Sequence, residues 1–379
     1  MYAFSFGGMN LNKVIDLIKK EAVLCISFVF TIISMFFVPF SKEYMNYIDF
    51  RVLCLLFCLM IVVAGLQNCG LFIVLAQKLL SGEKKLRMLF LVLVLLPFFS
   101  SMFITNDVAL ITFVPFTILV LKMIGRTQYM IYIVVLQTIA ANLGSMTMPV
   151  GNPQNLFLYA DYQISMRDFF VVMLPFTFIS FIALSIASVC VKRENISVSF
   201  SSKEAIQKPF LLILFLFLFL LCLFSVFHIL PYQVLTIIVI VCILIFEKKL
   251  LTRVDYSLLF TFVCFFTFAG NIGQISIIRE FLMHIMEKNT LFASLLASQV
   301  ISNVPAAVLL SDFTQNWEQL LIGVNIGGLG TPIASLASLI SLKFYLRSEE
   351  AKPISYLCIF LVANSIGLIL LCTFYFFLL

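Results

Sequence analysis

Charged side chains are scarce in this 379-residue chain: they make up 11% of it, whereas hydrophobic residues make up 63%. A water-soluble domain of this length does not need so much apolar surface, so a soluble fold is excluded. A helix that crosses a bilayer needs about 20 mostly apolar residues, and such stretches recur from one end of the chain to the other. The composition therefore predicts an all-α polytopic membrane protein.

Several catalytic motifs are also missing. The two histidines are not part of an H-E-x-x-H zinc motif, no P-loop is present, and Asp107 is the one aspartate deep inside an apolar segment. The ten cysteines show neither disulfide nor zinc spacing. These absences argue against an intramembrane protease and against ATP hydrolysis, so we expect neither enzymatic activity nor a cofactor other than a coupling ion.

The basic residues predict the orientation of the chain. We divide it into apolar segments at 22–40, 51–80, 87–125, 128–159, 168–190, 209–229, 232–246, 256–277, 290–313, 317–345 and 354–377. Two of them, 87–125 and 290–313, are expected to enter and leave on the same side, which leaves nine crossings. With the N-terminus inside, all but five of the 24 Lys and Arg residues fall on the cytoplasmic side (the exceptions are Lys42, Arg51, Arg167, Arg279 and Lys288). Cytoplasmic loops of membrane proteins carry such an excess.

These counts predict a multi-pass protein of the cytoplasmic membrane with its N-terminus in the cytoplasm and its C-terminus outside. The net charge of +6 is thereby assigned to cytoplasmic helix ends and not to nucleic-acid binding. Residues 1–20 lack a small-residue cleavage site before the first apolar run, so we expect an uncleaved first span and not a signal peptide.

Three short motifs of the first half recur in the same order in the second half. AGLQNCG (64–70), ITNDVA (104–109) and NLGSMTMP (142–149) are followed later by AGNIGQ (269–274), ISNVPA (301–306) and NIGGLGTP (325–332). Recurring motifs in register indicate an internal repeat. The additional helix at 209–229 reverses the direction of the second half, so inverted-topology repeats are expected, an arrangement typical of secondary transporters.

The predicted organisation follows from this repeat. Residues 1–190 form the first inverted repeat, 191–231 a cytoplasmic linker with a connecting helix, and 232–379 the second inverted repeat. Each repeat should contain a re-entrant helical hairpin (87–125 and 290–313) and a broken transmembrane helix (128–159 and 317–345). Two full spans are the competing interpretation of 87–125, but the 24 residues of 290–313 are too few for two crossings.

Polar residues interrupt these segments, and we expect them to form the site. Proline and glycine should unwind the broken helices, whose free carbonyl groups can bind Na⁺ and whose half-helix N-termini can face an anion. The candidate residues for substrate and cation binding are Thr105, Asn106, Asp107, Asn142, Gly144, Thr147, Gly151, Asn152, Asn155, Ser302, Asn303, Asn325, Gly327, Gly330, Thr331 and Ser335. Candidate Na⁺ ligands are Asn106, Asp107 and Asn303, with Asp107 either a cation ligand or a proton carrier. Asn68, Gln137, Asn271 and Gln299 are interpreted as residues that bridge helices.

At these positions the chain resembles the ion transporter superfamily, which includes divalent-anion/sodium symporters, citrate transporters, arsenical pump membrane proteins and some sodium/proton antiporters. Thr-Asn-Asp at 105–107 and Ser-Asn-Val at 302–304 are similar to the Ser-Asn-Thr motifs with which dicarboxylate symporters bind sodium and substrate. GNPQN at 151–155 resembles the Gly-Thr-Pro-Pro-Asn segment of those symporters. Asp107 and the stretch 325–339 are more similar to the arsenical branch.

The resemblance implies a transport domain that moves against a scaffold, and a homodimer. Together with the residues above, it predicts a secondary transporter of a small anion, either a di- or tricarboxylate such as citrate or an inorganic oxyanion, coupled to Na⁺ or H⁺. Efflux of arsenite or antimonite is the alternative expectation, and sodium/proton exchange is third. The expected partners are therefore the small anion and the lipid bilayer.

Overall fold

A computed structural model describes residues 22–39, 44–198, 200, 205, 206 and 208–378. The predicted uncleaved start of the chain, residues 1–20, lies outside the described residues, as does part of the linker 191–208. The described chain is almost entirely helical apart from one short two-stranded antiparallel sheet, β1 (Gly82–Lys85) and β2 (Asn195–Val198).

The helices of the first half are α1 (Ala22–Phe37), α2 (Tyr44–Tyr47), α3 (Phe50–Asn68), α4 (Leu71–Leu80), α5 (Leu86–Ser100), α6 (Asn106–Met123), α7 (Met130–Ser145), α8 (Pro153–Asp161) and α9 (Met166–Val189). Those of the second half are α10 (Pro209–Val226), α11 (Tyr232–Phe246), α12 (Tyr256–Gln274), α13 (Ser276–Ile301), α14 (Asn303–Ser311), α15 (Trp317–Ile326), α16 (Leu336–Leu346) and α17 (Pro353–Leu378). Short 3₁₀ turns lie at Thr127–Tyr129, Pro149–Gly151 and Lys248–Arg253.

Six of the described helices, α3, α6, α9, α10, α12 and α17, are long and apolar enough to cross a membrane. Their outward faces carry large exposed apolar side chains, such as Phe178 of α9 and Phe377 of α17. Exposed apolar surface of this extent is expected only where lipid covers it. The chain is therefore an all-α membrane protein with multiple spans, as its composition predicts.

Two segment boundaries differ from the prediction. The segment 51–80 is two helices, because the chain turns at Gly70, which has a positive φ of 81°. The segment 256–277 stops at Gln274, and an unpredicted helical stretch, 276–288, follows it. This stretch ends at an extended residue, Asn289, whose side-chain oxygen accepts the N–H of Phe292 at 3.0 Å and so caps the helix that restarts at 290.

The two halves contain the same elements in the same order. In the first half these are α3, α4, the helical pair α5–α6, the interrupted helix α7–α8, and α9. In the second half they are α12, the first part of α13, the pair formed by the rest of α13 with α14, the interrupted helix α15–α16, and α17. The second helix of each pair packs on the interrupted helix of the other half: α6 packs on α16, and α14 packs on α8. That the halves are inverted in a membrane stays a prediction.

Segments predicted to lie on one membrane face do contact one another. At one end of the molecule, Arg126 pairs with Glu194 at 2.7 Å and Lys122 with Glu350 at 3.2 Å. At the opposite end, the Tyr162 hydroxyl hydrogen-bonds the carbonyl oxygen of Ser311 at 2.8 Å. The assignment of the first end to the cytoplasm stays a prediction.

We expect Gly144→Ala to destabilise the protein by about 1–3 kcal/mol, the usual cost of overpacking. A Cβ atom at Gly144 would collide with the Phe98 carbonyl oxygen of α5, which packs closely on α7. Thermal denaturation in detergent measures the effect. The matched control is Gly273→Ala in α12, where a Cβ would meet no atom within 4 Å and helix propensity favours alanine. Equal losses of Tm in both variants would contradict this interpretation of the packing.

Candidate functional site

The second hairpin turns at a single strained residue, Ser302. Its φ is 74°, a conformation that costs a non-glycine residue about 1–3 kcal/mol unless its surroundings hold it. Here the Ser302 hydroxyl and the Asn303 N–H both donate to the carbonyl oxygen of Ala334, at 3.3 and 3.0 Å. The tip of the second hairpin is therefore attached to the loop between α15 and α16.

The first hairpin turns between Ser100 and Asn106, and its tip contacts both interrupted helices. Asn106 donates from Nδ2 to Oδ1 of Asn142, at the end of α7, at 3.0 Å. The same Oδ1 atom accepts from the hydroxyl of Ser335, the residue before α16, at 3.0 Å. All three side chains are buried. One amide oxygen thus joins three elements from both halves of the chain.

A second set of contacts joins the interrupted helices directly. Asn152, the N-cap of α8, donates to Oδ1 of Asn325 at 3.2 Å and to the Ser145 hydroxyl at 3.1 Å. Asn325 in turn donates to Oδ1 of Asn155 at 2.6 Å. We call these seven side chains, Asn106, Asn142, Ser145, Asn152, Asn155, Asn325 and Ser335, the asparagine network.

The two hairpin tips meet at this network. Asn106 and Asn303 are 5% and 4% exposed, so neither lies at a surface turn. The loop between α15 and α16 connects them: its Ala334 carbonyl group binds Asn303, and the next residue, Ser335, binds the Asn142 oxygen that also accepts from Asn106. The tips and loops that the sequence predicts to converge do so inside the molecule.

The electrostatics of the network come from helix ends and from one carboxylate. Helices α6, α8, α14 and α16 all begin at it, and a helix N-terminus carries free N–H groups and partial positive charge. Within the described chain, no Lys, Arg or His side chain hydrogen-bonds a network residue. Asp107, beside Asn106, is half-buried, and its carboxylate has no hydrogen-bond or ion-pair partner among the described residues.

The side chain of a glutamine in α13 binds the loop between α15 and α16. Gln299, one turn before the second tip, donates from Nε2 to the carbonyl oxygens of Gly327 and Leu329 at 2.7 and 2.8 Å. Its Oε1 accepts the Thr331 N–H at 3.0 Å. Gly330 has a φ of 107° and no space for a Cβ beside this amide. The backbone groups proposed as cation ligands in the second half are thus hydrogen-bonded to a side chain.

The sequence matches a known family over most of its length. A family model described as citrate transporter matches residues 14–316. The chain belongs to the citrate transporter family. The matched range contains both hairpin tips and the loop between α7 and α8, and it ends before the loop that Gln299 binds.

Three relatives of this citrate transporter family member are named either as transporters or as a membrane protein. An uncharacterized transporter of Methanocaldococcus jannaschii is 32% identical over 305 residues, which are 79% of this chain and 82% of that protein. Inner membrane protein YbiR of Escherichia coli (strain K12) is 30% identical over 321 residues, which are 81% of this chain and 83% of that protein. The silicon efflux transporter LSI3 of Oryza sativa subsp. japonica is 32% identical over 128 residues, or 34% of this chain and 26% of that protein. The family and these names identify a membrane transporter.

Several residues predicted for the site of this family member have another role in the structure. Thr147 lies 3.1 Å, hydroxyl to hydroxyl, from Thr177 of α9, outside the network. A Cβ at Gly144 or Gly151 would collide with a carbonyl oxygen, so close packing requires glycine there whatever binds nearby. Thr105 is half-buried and makes no side-chain capping bond. Ligand binding by the backbone of these residues stays a prediction.

Three residues of the site are not among those that the sequence predicts. Ser145 and Ala334 were not selected, although both lie within or beside the repeated motifs. Gln299 was interpreted as a bridge between helices, but it binds an unwound loop; its position four residues before Asn303 is the signal that places it there. Gln137 and Asn271 do bridge helices, to α5 and α6 and to α1 respectively.

We expect Gln299→Ala to lower the stability of the protein by about 1–3 kcal/mol, since it leaves backbone groups of the loop without a partner. Hydrogen–deuterium exchange should rise at 327–331, and Tm in detergent should fall. Gln233→Ala, at an exposed position in α11, is the control and should change neither. Unchanged exchange at 327–331 in the variant would show that the glutamine does not hold the loop.

Proposed function

We propose that this protein is a secondary active transporter that moves a small anion across the cytoplasmic membrane with Na⁺ or H⁺ as the coupling ion. The anion is a di- or tricarboxylate such as citrate, or an inorganic oxyanion. The observation that carries the proposal is the convergence of four helix N-termini on a buried set of amides and hydroxyls. Such N-termini bind anions without a basic side chain.

The network also suggests how transport is gated. In this structure Asn106 and Ser335 both bind Asn142, so the site is closed by its own side chains. Movement of a hairpin against a loop breaks these bonds. A solute that replaces them favours the state in which it binds better, which is how a ligand shifts a conformational equilibrium. The coupling cation would bind near Asp107 and balance its charge, and the homodimer implied by the resemblance is part of the same proposal.

Efflux of an uncharged oxyacid, such as arsenous acid, is the second candidate function. A cavity of about 390 Å³ at the end predicted to face outside is lined by three carboxylates, Asp49, Asp161 and Asp312. A cleft of one sign of charge lowers the local concentration of ions of that sign, so this cavity disfavours entry of an anion from outside. The silicon efflux transporter among the relatives also handles, by its name, a solute other than a carboxylate.

Flux measurements in proteoliposomes distinguish the two functions. For the anion transporter we expect saturable uptake of labelled citrate, succinate or phosphate that depends on an imposed Na⁺ or pH gradient. For the second candidate, only arsenite or silicic acid should move, and it should leave through the side that carries the acidic cavity. Flux that neither saturates nor responds to a second gradient would contradict a secondary transporter of either kind.

We expect Asp107→Asn to abolish or uncouple gradient-driven transport and to leave the fold intact, because its carboxylate makes no bond among the described residues that the fold would lose. Transport in proteoliposomes and Tm in detergent measure the two effects. Glu287→Gln, at an exposed position in the stretch 276–288, is the control for a lost negative charge. Coupled transport at the wild-type rate in Asp107→Asn would remove this residue from the mechanism.

A further inference from the structure

Asn325 makes two contacts in the asparagine network, and only one of them has a counterpart when the two halves are exchanged. The amide oxygen of Asn325 accepts from Asn152 at 3.2 Å, and its amide nitrogen donates to Asn155 at 2.6 Å. Both partners lie at the start of α8, three residues apart. The same separation, 183 residues, relates Asn142 to Asn325, Asn152 to Ser335 and Asn155 to Ser338. The expected counterpart of the Asn152–Asn325 contact is therefore a contact between Ser335 and Asn142. That of the Asn155–Asn325 contact is a contact between Ser338 and Asn142.

Only the first of these two contacts is made. Ser335 binds Oδ1 of Asn142 at 3.0 Å. The Asn142 Nδ2 atom and the Ser338 hydroxyl are both buried and have no hydrogen-bond partner among the described residues. A serine side chain is one atom shorter than asparagine, and Ser338 lies on the face of α16 that carries Ser335, three residues earlier. Ser338 therefore lacks the carboxamide that Asn155 supplies in the other half, and we call the position this carboxamide would take the gap.

The orientation of the Asn142 amide is set by its neighbours. The Asn106 Oδ1 atom accepts the Asp107 N–H at 3.0 Å, so the Nδ2 of Asn106 must be the donor in its bond to Asn142. The amide oxygen of Asn142 therefore faces Asn106, and its Nδ2 atom is left as a free donor. An unpaired buried donor is costly, which indicates that a partner binds there.

The second hairpin keeps the Ser338 hydroxyl free. Several other buried helical serines, including Ser180, Ser298 and Ser341, donate to the carbonyl oxygen four residues earlier, although Ser225 of α10 does not. For Ser338 that oxygen belongs to Ala334, which already accepts from Asn303 and Ser302. A carbonyl oxygen has two lone pairs, and both are in use. The hydroxyl can therefore donate to a ligand.

We propose that an oxygen atom of the transported solute binds between Asn142 Nδ2 and Ser338 Oγ, in the place that the Asn155 amide oxygen takes in the other half. This inference rests on the proposed function. Asn142 can only donate here, Ser338 is free to donate, and the N-terminus of α16 adds positive charge. The ligand atom is consequently a hydrogen-bond acceptor, such as a carboxylate or oxyacid oxygen, and not a metal cation. A buried water has the same chemistry, and the test separates the two.

Ser338→Asn tests the inference, because it copies the Asn155 contact and fills the gap. We expect its Tm without solute to rise by about 2 °C, and its uptake of whichever of citrate, succinate, phosphate or arsenite the wild type transports to fall at least tenfold. Ser338→Ala keeps the space and removes one donor, so it should raise KM about fivefold with little change in Tm. Ser341→Ala, one turn further along α16, is the matched control and should leave KM unchanged.

The outcomes separate this inference from the proposed function. If the wild type transports none of the four probes, the proposed function fails and the inference fails with it. If the wild type transports a probe and Ser338→Asn does so with the same KM, the gap holds only water, and this inference alone is overturned. A fall in the Tm of Ser338→Asn without solute also overturns it, because the gap would then be too small for the amide.

Discussion

Helix ends inside a membrane protein carry N–H and C=O groups that hydrocarbon cannot hydrogen-bond, and this constraint determines how the centre of the protein is built. The helices α7, α13 and α15 stop there and α6, α8, α14 and α16 start there. Their polar groups are satisfied within a half, where Ala334 binds the second tip, and between the halves, where Ser335 binds Asn142 and Asn152 binds Asn325. Neither half can complete the site without the other.

The same contacts suit a site that must open. A net hydrogen bond contributes about 0.5–1.5 kcal/mol, so the few side-chain bonds at each tip hold it by a few kcal/mol in all. A ligand changes a two-state population from 1:99 to 99:1 with about 5.5 kcal/mol of differential affinity. Bonds of this number and kind are therefore strong enough to close the site and weak enough for the proposed solute and cation to replace.

The two halves share an order of elements but differ in the amides that fill their loops. In the second half Gln299 binds the loop carbonyl groups at 2.7 and 2.8 Å. In the first half, where Met146 is the counterpart of Leu329, the Asn155 amide nitrogen lies 3.3 and 3.4 Å from the carbonyl oxygens of Met146 and Met148, so these bonds are longer and weaker. The two halves thus hold their loops with different amide side chains and with bonds of different length.

By itself the sequence determined the helical membrane class and indicated that α7 and α15 are interrupted near Pro149 and Pro332, because these features depend on local composition and on glycine and proline. It also selected Asn106, Asn142, Asn303 and Asn325, which recur in the repeat. Only the tertiary structure decided the bends at Gly70 and Asn289, the partner of each amide, and the place of Gln299. Those features arise from contacts between residues far apart in the chain, and local periodicity carries no information about which distant polar groups meet.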